Sequence, residues 1–516
     1  MAAVKKIDSN TVGLKYSLES SIGVLPAAAS QVWKNLEPNS FSEFGGNITT
    51  IARNPISQDR QNKKGAVVGL TASAGFQSDL TPENLTDLLQ GFFFANLRTK
   101  DENPTSNTTT TAYTVGTGIG SNYVANDLVF AKKFAIAANN GLKVVSASAS
   151  TSVTVGGLTS GDTSLGILSR VGFEFGSGEA QITVTSGRPT LSRASGTKAF
   201  TDFDLIPGEW VYIGGDDSGD RFNTANSNGY YRVLSVSATA IVFDKSQNTP
   251  TADSGSGKTI RIFFGRVLKN ESDPALITRK TYTLERILGF NNDSDSTAQQ
   301  AEYVKGCIPN TLNLNFAAQD KLTADLAFVG IDNFTLDEND SVDLLSKDGD
   351  ATVETLVEED AFTSGNIAYA RLSVYSASDS QPDPLVQFLE NFTLSLSNNV
   401  TPLNAIGELA SFEATSGNFV VNGSISGYFT DVAALASVRS NADVTLDIHF
   451  NANNKGLSID IPLTSVSEGN LSVEQDQAIK IPLTTDAASG AGLNSTQDYT
   501  LMFCFFDYLP TISAGD

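Results

Sequence analysis

The sequence predicts a mainly β protein: two related sheet-plus-helix units, with a further all-β segment inserted into the first. Three observations carry this reading. The 516 residues are 40 % hydrophobic and 18 % charged, with 43 Gly and 30 Phe against 2 Met and 2 Trp, which suits strands and tight turns better than helices. Long stretches alternate apolar and polar residues with period two. A strand followed by a short helix occurs twice. The length suffices for several cores.

In chain order, Gly65 to Phe76 reads as a strand with Ala66, Val68, Leu70 and Ala72 on one side. A helix follows from about Pro82 to Ala95, with Thr81 as N-cap, Pro82 at the first helical position, and Leu85, Leu88, Leu89, Phe92 and Phe93 as its buried stripe. Residues 111–275, rich in Ser, Thr, Gly and Val, carry their own duplication: Ala137–Val155 matches Ala225–Phe243. Each copy contains Asn-Gly (Asn140-Gly141, Asn228-Gly229), which predicts a tight hairpin turn. An insertion of this size leaves from an exposed loop, so it belongs on the exterior.

Asn310–Asn315 (NTLNLN) resembles Asn391–Ser397 (NFTLSLS), and Leu322–Phe328 alternates as Phe419–Phe429 does. Asp431–Ser440, whose Val432, Leu435, Ala436 and Arg439 suit helical spacing, predicts one short helix capped by Thr430 or Asp431. Val444–Phe450 and Leu457–Leu463, joined by the turn-rich Asn451–Gly456, predict a hairpin with Asp443, Thr445, Asp447 and His449 on its polar face. The expected organisation is 1–110 and 276–345 as the two parts of the first unit, 111–275 as the insert, and 346–516 as the second unit.

Charge is unevenly spread. Residues 1–110 hold 10 bases and 10 acids, 111–270 hold 14 and 12, and 271–516 hold 10 and 35, so the whole excess of the formal −23 lies in the last part. Such a chain does not neutralise phosphate, which excludes a basic nucleic-acid groove. Candidate functional acids in this region are Asp443, Asp447, Asp460, and the cluster Glu354, Glu358, Glu359 and Asp360.

The motifs that could carry chemistry are weak. Ala252–Thr259 (ADSGSGKT) fits a permissive phosphate-binding loop, but Ile260–Phe264 reads as a strand where a helix is required. Gly116, Gly118 and Gly120 lack a following helix and read as a linker. Asp216, Asp217 and Asp220, and Asp337 to Asp343, have the density of a calcium loop without its spacing. His449 is the only histidine and is expected on a strand surface. Cys307 and Cys504 are too few for a disulfide scaffold or zinc cluster and read as buried apolar residues. No stretch of about eighteen apolar residues marks a membrane helix, and no apolar core of a secretion signal follows Met1. No catalytic, cofactor or metal site is expected, and the chain reads as no enzyme.

Taken in order, several segments resemble the major tail tube protein of long-tailed, non-contractile bacteriophages. They are Lys64–Phe94; Thr281–Gly330, with YTLERILG, EYVKGCIPNTLNLNF and KLTADLAFVG; and Gly423–Leu463, with GSISGYF and IHFNANNKGLSIDIPL. GEWVYIGGDDSGDRFNTANSNGYYRV and GKTIRIFFG in the insert are similar to segments of some relatives. The resemblance implies two tail-tube-type β-sandwich or barrel units, each with a short helix, plus an exterior decoration domain. It further implies a structural virion protein whose stacked rings, trimeric and pseudo-hexameric or hexameric, form an acid-lined conduit for DNA ejection. Implied partners are further copies of the chain, the tape measure protein, the tail terminator and distal tail proteins. DNA passes without specific binding, no membrane is involved, and the protein resides in the tail tube after assembly in host cytoplasm. The alternative is a carbohydrate-binding or adhesive surface protein using 111–275.

Overall fold

The computed structural model describes residues 9–511 apart from 54, 55, 57, 59, 60, 62, 195–197, 293, 294, 339–342, 357, 358, 387 and 472, and gives only the backbone of 290–292 and 295–298. Strands dominate, and two α-helices of eight residues occur among the described residues.

The first repeat runs β1 (Gly13–Leu18), β2 (Val32–Leu36), β3 (Pro38–Arg53), β4 (Lys63–Asp79), α1 (Thr86–Phe93), then, after the insert, β5 (Tyr282–Asn292), β6 (Asp295–Ala317), β7 (Thr323–Gly330) and β8 (Asp332–Asp337). β6 is long enough to serve two sheets. Its first half lies between β5 and β8, while its second half pairs with β7, which continues to β4 and β3, all antiparallel. β1 pairs with β5 and β2.

α1 is held on this sheet by its apolar stripe: Leu88, Leu89 and Phe92 are at most 1 % exposed, and Phe92 meets Phe328 at 5.3 Å. Burying three such side chains contributes about 6 kcal/mol before entropy is counted. Gly91 permits the approach, since a Cβ there would lie 2.8 Å from Pro309 and Tyr282. The helix begins one turn later than expected. Thr81 instead closes the preceding turn, its Oγ1 accepting from Asn84 N while Thr81 N donates to Asn84 Oδ1.

The second repeat runs β9 (Ile367–Val374), β10 (Leu389–Ser397), β11 (Val420–Tyr428), α2 (Ala433–Ser440), β12 (Val444–Ala452), β13 (Lys455–Glu468), β14 (Lys480–Ala488) and β15 (Met502–Phe506). β13 repeats the design of β6: its first half lies between β12 and β15, and its second half pairs with β14. The registers agree residue by residue. Lys15, Tyr16 and Ser17 of β1 oppose Glu285, Leu284 and Thr283; Arg371, Leu372 and Ser373 of β9 oppose Asp447, Leu446 and Thr445. Asn453 and Asn454, both at positive φ, make the two-residue turn of the β12–β13 hairpin. Asp431 Oδ1 accepts from Ala433 N at the start of α2, but the face turned inward is Ala434, Leu435 and Val438, leaving Val432 68 % exposed.

By spatial compactness the chain divides into one unit of residues 1–95, 273–364 and 390–425, and another of 96–272, 365–389 and 426–516. Residues 96–272, which include most of the segment 111–275, thus fall in one unit with 365–389 and 426–516. Residues 346–516 are shared between the units because β10 pairs with β6 over seven residues, Asn391–Ser397 against Thr311–Ala317. The look-alike segments NTLNLN and NFTLSLS are therefore hydrogen-bonded neighbours.

The insert forms one thirteen-stranded sheet with two cores, one around Tyr113, Val129 and Val153 and one around Phe173, Trp210's neighbour Val211, and Phe243. Its duplication is structural, but Asn140 and Asn228 are not turn residues: their φ values are −90° and −106°, and only Gly141 and Gly229 are positive. Each Asn instead clamps a wide loop. Asn140 bonds both backbone groups of Phe134, and Asn228 bonds both of Phe222; Asp162 and Asp253 then accept from Ile136 N and Thr224 N.

Candidate assembly surfaces

Each unit presents a polar sheet face. In the first, Thr311, Asn313 and Asn315 of β6 alternate with buried Leu312, Leu314 and Phe316, and Thr393 and Ser395 of β10 alternate with buried Phe392, Leu394 and Leu396. Asp325 of β7 stands opposite Asn313 on this face and accepts from Gln77 and Asn315. In the second unit, Ser465 and Ser467 of β13 are exposed, and Asp486 of β14 stands opposite Ser465. Asp325 and Asp486 thus each stand on the strand that pairs with the second half of the long strand of their repeat, though not at equivalent positions: the hairpin registers align Asp486 with Val329. Sequence reasoning missed both. The available signal was the period-two alternation of these strands, which sets Asp325 between Ala324 and Leu326 and Asp486 two residues beyond Thr484.

Sheet edges form the second feature. The second half of β6 is paired on both sides, by β7 and by β10. On β13, Ser465–Glu468 pairs only with β14, and β3 pairs only with β4, among the described residues. β3 is the first repeat's counterpart of β10, each being the strand before the one that leads into the helix. One open strand edge, on Ser465–Glu468, thus belongs to the second repeat, and one, on β3, to the first.

The acids singled out from sequence are scattered. Asp443 and Asp360 are exposed, as is Glu354, which lies 3.6 Å from Lys34. Glu359 is half-buried, accepting from Thr81 Oγ1 and Glu83 N ahead of α1. Glu358 lies outside the described residues.

Asp447 and Asp460 require correction: they are 1 % and 0 % exposed and face no solvent. Asp460 receives Arg232 Nη1 at 3.2 Å, Trp210 Nε1 at 2.9 Å and Tyr499 Oη at 2.7 Å; Asp447 receives Lys245. Arg232 also forks onto Asp244, and the two carboxylates hold its guanidinium well above its ordinary range despite burial. The expected polar face of β12 is covered because insert residues 210–246 lie on it. His449 is likewise buried, and desolvation pushes its imidazolium down.

The remaining motifs resolve into local structure. Gly255–Thr259 is followed by the strand Ile260–Phe263, and Lys258 Nζ donates to Ser218 O. Asp220 pairs with Arg261, and Asp216 accepts from Tyr508 and Thr511. Among the described residues no group of three or more His, Cys, Asp or Glu is arranged to hold a metal, and no helix is long and apolar enough to cross a membrane. Both cysteines are buried and unbridged.

A duplicated β framework whose distinctive exposed features are unpaired strand edges and hydroxyl-rich sheet faces is that of a structural β protein. The model of a family described as phage tail tube protein matches residues 183–487, well over half of the chain, and the chain belongs to that family. It is a structural component of the virion tail. No curated protein matches it.

Proposed function

We propose that the chain forms stacked rings of a long-tailed phage tail tube, each ring closed by pairing the free edge of β13 in one copy with the free edge of β3 in the next. The observation that carries this is the pair of open edges, Ser465–Glu468 paired only with β14 and β3 paired only with β4 among the described residues, beside a β6 edge that β10 fills within the chain. Closing the ring removes both edges from solvent. Four ladder residues at about 1 kcal/mol per net hydrogen bond give about 4 kcal/mol for each joint.

Two repeats per chain make three copies a pseudo-sixfold ring. The polar faces line the bore, with Asp325 and Asp486 as one acid per repeat, so that passing DNA meets hydroxyls, amides and like charge. The insert occupies the exterior, and tape measure, terminator and distal tail proteins engage the tube and its ends. Among the described residues of the insert every aromatic side chain is at least half-buried, so an adhesive role gains no exposed ring to stack on a sugar.

Electron microscopy of purified protein tests the reading. Wild type is expected to give rings or tubes, and a Ser465→Pro, Ser467→Pro variant with unchanged circular dichroism is expected to stay monomeric. Tubes from that variant, or monodisperse wild-type monomer even with a tail terminator supplied, would overturn it.

A further inference from the structure

We propose that Lys245 and Asp447 become joined by an isopeptide bond that the folded chain forms by itself, with His449 as the proton relay. Lys245, on the insert strand Ala240–Ser246, places Nζ against Oδ1 of Asp447 on β12, with the two side chains 6 % and 1 % exposed. The other oxygen, Asp447 Oδ2, is buried without a hydrogen-bond partner. So is Nε2 of His449, two residues along the same strand face. These two orphaned atoms lie 3.9 Å apart.

The imidazole is fixed in this position. Its Nδ1 is 2.6 Å from Ser458 Oγ; Tyr230 stacks on the ring at 4.4 Å, Tyr369 lies at 5.6 Å, and Trp210 meets it edge-on at 4.3 Å. The charged neighbours are otherwise engaged. Arg232 is satisfied by Asp244 and Asp460, and Arg371 donates to Ser246 O and Gln247 O.

Burial lowers both the Lys245 ammonium and the His449 imidazolium, favouring free amine and neutral imidazole. Moving the ammonium proton onto Asp447 turns the ion pair into an amine and a carboxylic acid, the reactants of amide formation, in a site that penalises separated charge. Nζ then attacks Cγ. A proton passes from Nζ through His449 Nε2 to Oδ2, the Cγ–Oδ2 bond breaks, and one water leaves. The product is the Nζ–Cγ amide, with nothing oxidised or reduced. Holding the reacting atoms in contact supplies the effective concentration that the uncatalysed reaction lacks.

The insert contains its own control. Lys198 and Asp127 are equally buried, but both carboxylate oxygens are taken, by Lys198 and by Val124 N, and no histidine is near. That pair stays ionic. The bond at Lys245 would rivet the insert to β12 so that unfolding either part could not separate them.

The test is the intact mass of the full chain, with peptide mapping after denaturing digestion. Wild type is expected one water lighter than its sequence, with a branched peptide linking Lys245 to Asp447. Lys245→Arg and Asp447→Ala should restore the full mass. His449→Gln keeps both reactants, and samples denatured at successive times after synthesis should show slow or absent loss. Folded, protease-resistant wild type at full mass would overturn the proposal, as would an equal loss of water from Lys245→Arg. Bond formation in His449→Gln as fast as in wild type would overturn the relay.

Discussion

Replacing Asp460 by alanine distinguishes a buried anchor from a channel-facing acid. The structure places this carboxylate at 0 % exposure, where it satisfies Arg232, Trp210 Nε1 and Tyr499 Oη at once. Removing it leaves Arg232 with Asp244 alone, orphans Trp210 Nε1 and leaves Tyr499 Oη only a long bond of 3.4 Å to Gly208 O. Breaking a buried pair from one side costs about 4 kcal/mol. For a unit of this size about 2 °C is lost per kcal/mol, so the melting temperature should fall by about 8 °C. The comparison is Asp486→Ala, an exposed acid, with an expected cost under about 0.5 kcal/mol. Scanning calorimetry of both variants, made where the protein is unassembled, reads the difference. Equal and small effects would refute the buried network; equal and large ones would refute the exposure of Asp486.

Other perturbations test separate parts of the account. Asn140→Ala and Asn228→Ala each remove a loop clamp and should cost about 1–2 kcal/mol in urea unfolding, with similar values because the two loops are built alike. Asp162 is held at about 2 by Ser164 and then by the amides of Ile136 and Asn139, below its ordinary 3.8. A depressed carboxyl contributes fully above its unfolded value and loses that contribution as pH falls through the folded one. Wild type should therefore lose stability between pH 3.8 and about 2 through this group, and Asp162→Asn should lack that component in acid titration. Tubes carrying Asp325→Lys and Asp486→Lys should retain short duplex DNA in a salt-sensitive manner where wild-type tubes do not, measured by co-sedimentation.

Much of the framework was legible from period-two patterning. The β12–β13 hairpin, the alternation on β6 and β10, and the two strand-then-helix passages all appear where the side-chain pattern puts them, because one face of each strand is core. What patterning cannot show is whether the other face meets water. Asp447, His449 and Asp460 alternate with apolar residues as surface groups do, yet Trp210, Tyr230 and Lys245, some two hundred residues earlier, cover them. Asn140 and Asn228 misled for a local reason. Asn-Gly suits a two-residue turn, but here each side chain reaches back six residues to hold a longer loop, and the tight turn falls at Asn453-Asn454. Asp325 and Asp486 became conspicuous only when strand registers placed them opposite Asn313 and Ser465 on polar sheet faces.

The most direct test of the central claim is an electron cryomicroscopy map of an assembled tube. The account predicts three chains to a ring, Ser465–Glu468 of each hydrogen-bonded to β3 of its neighbour, and Asp325 and Asp486 facing the bore. A map in which those two edges stay apart, or in which both aspartates point outward, would contradict it.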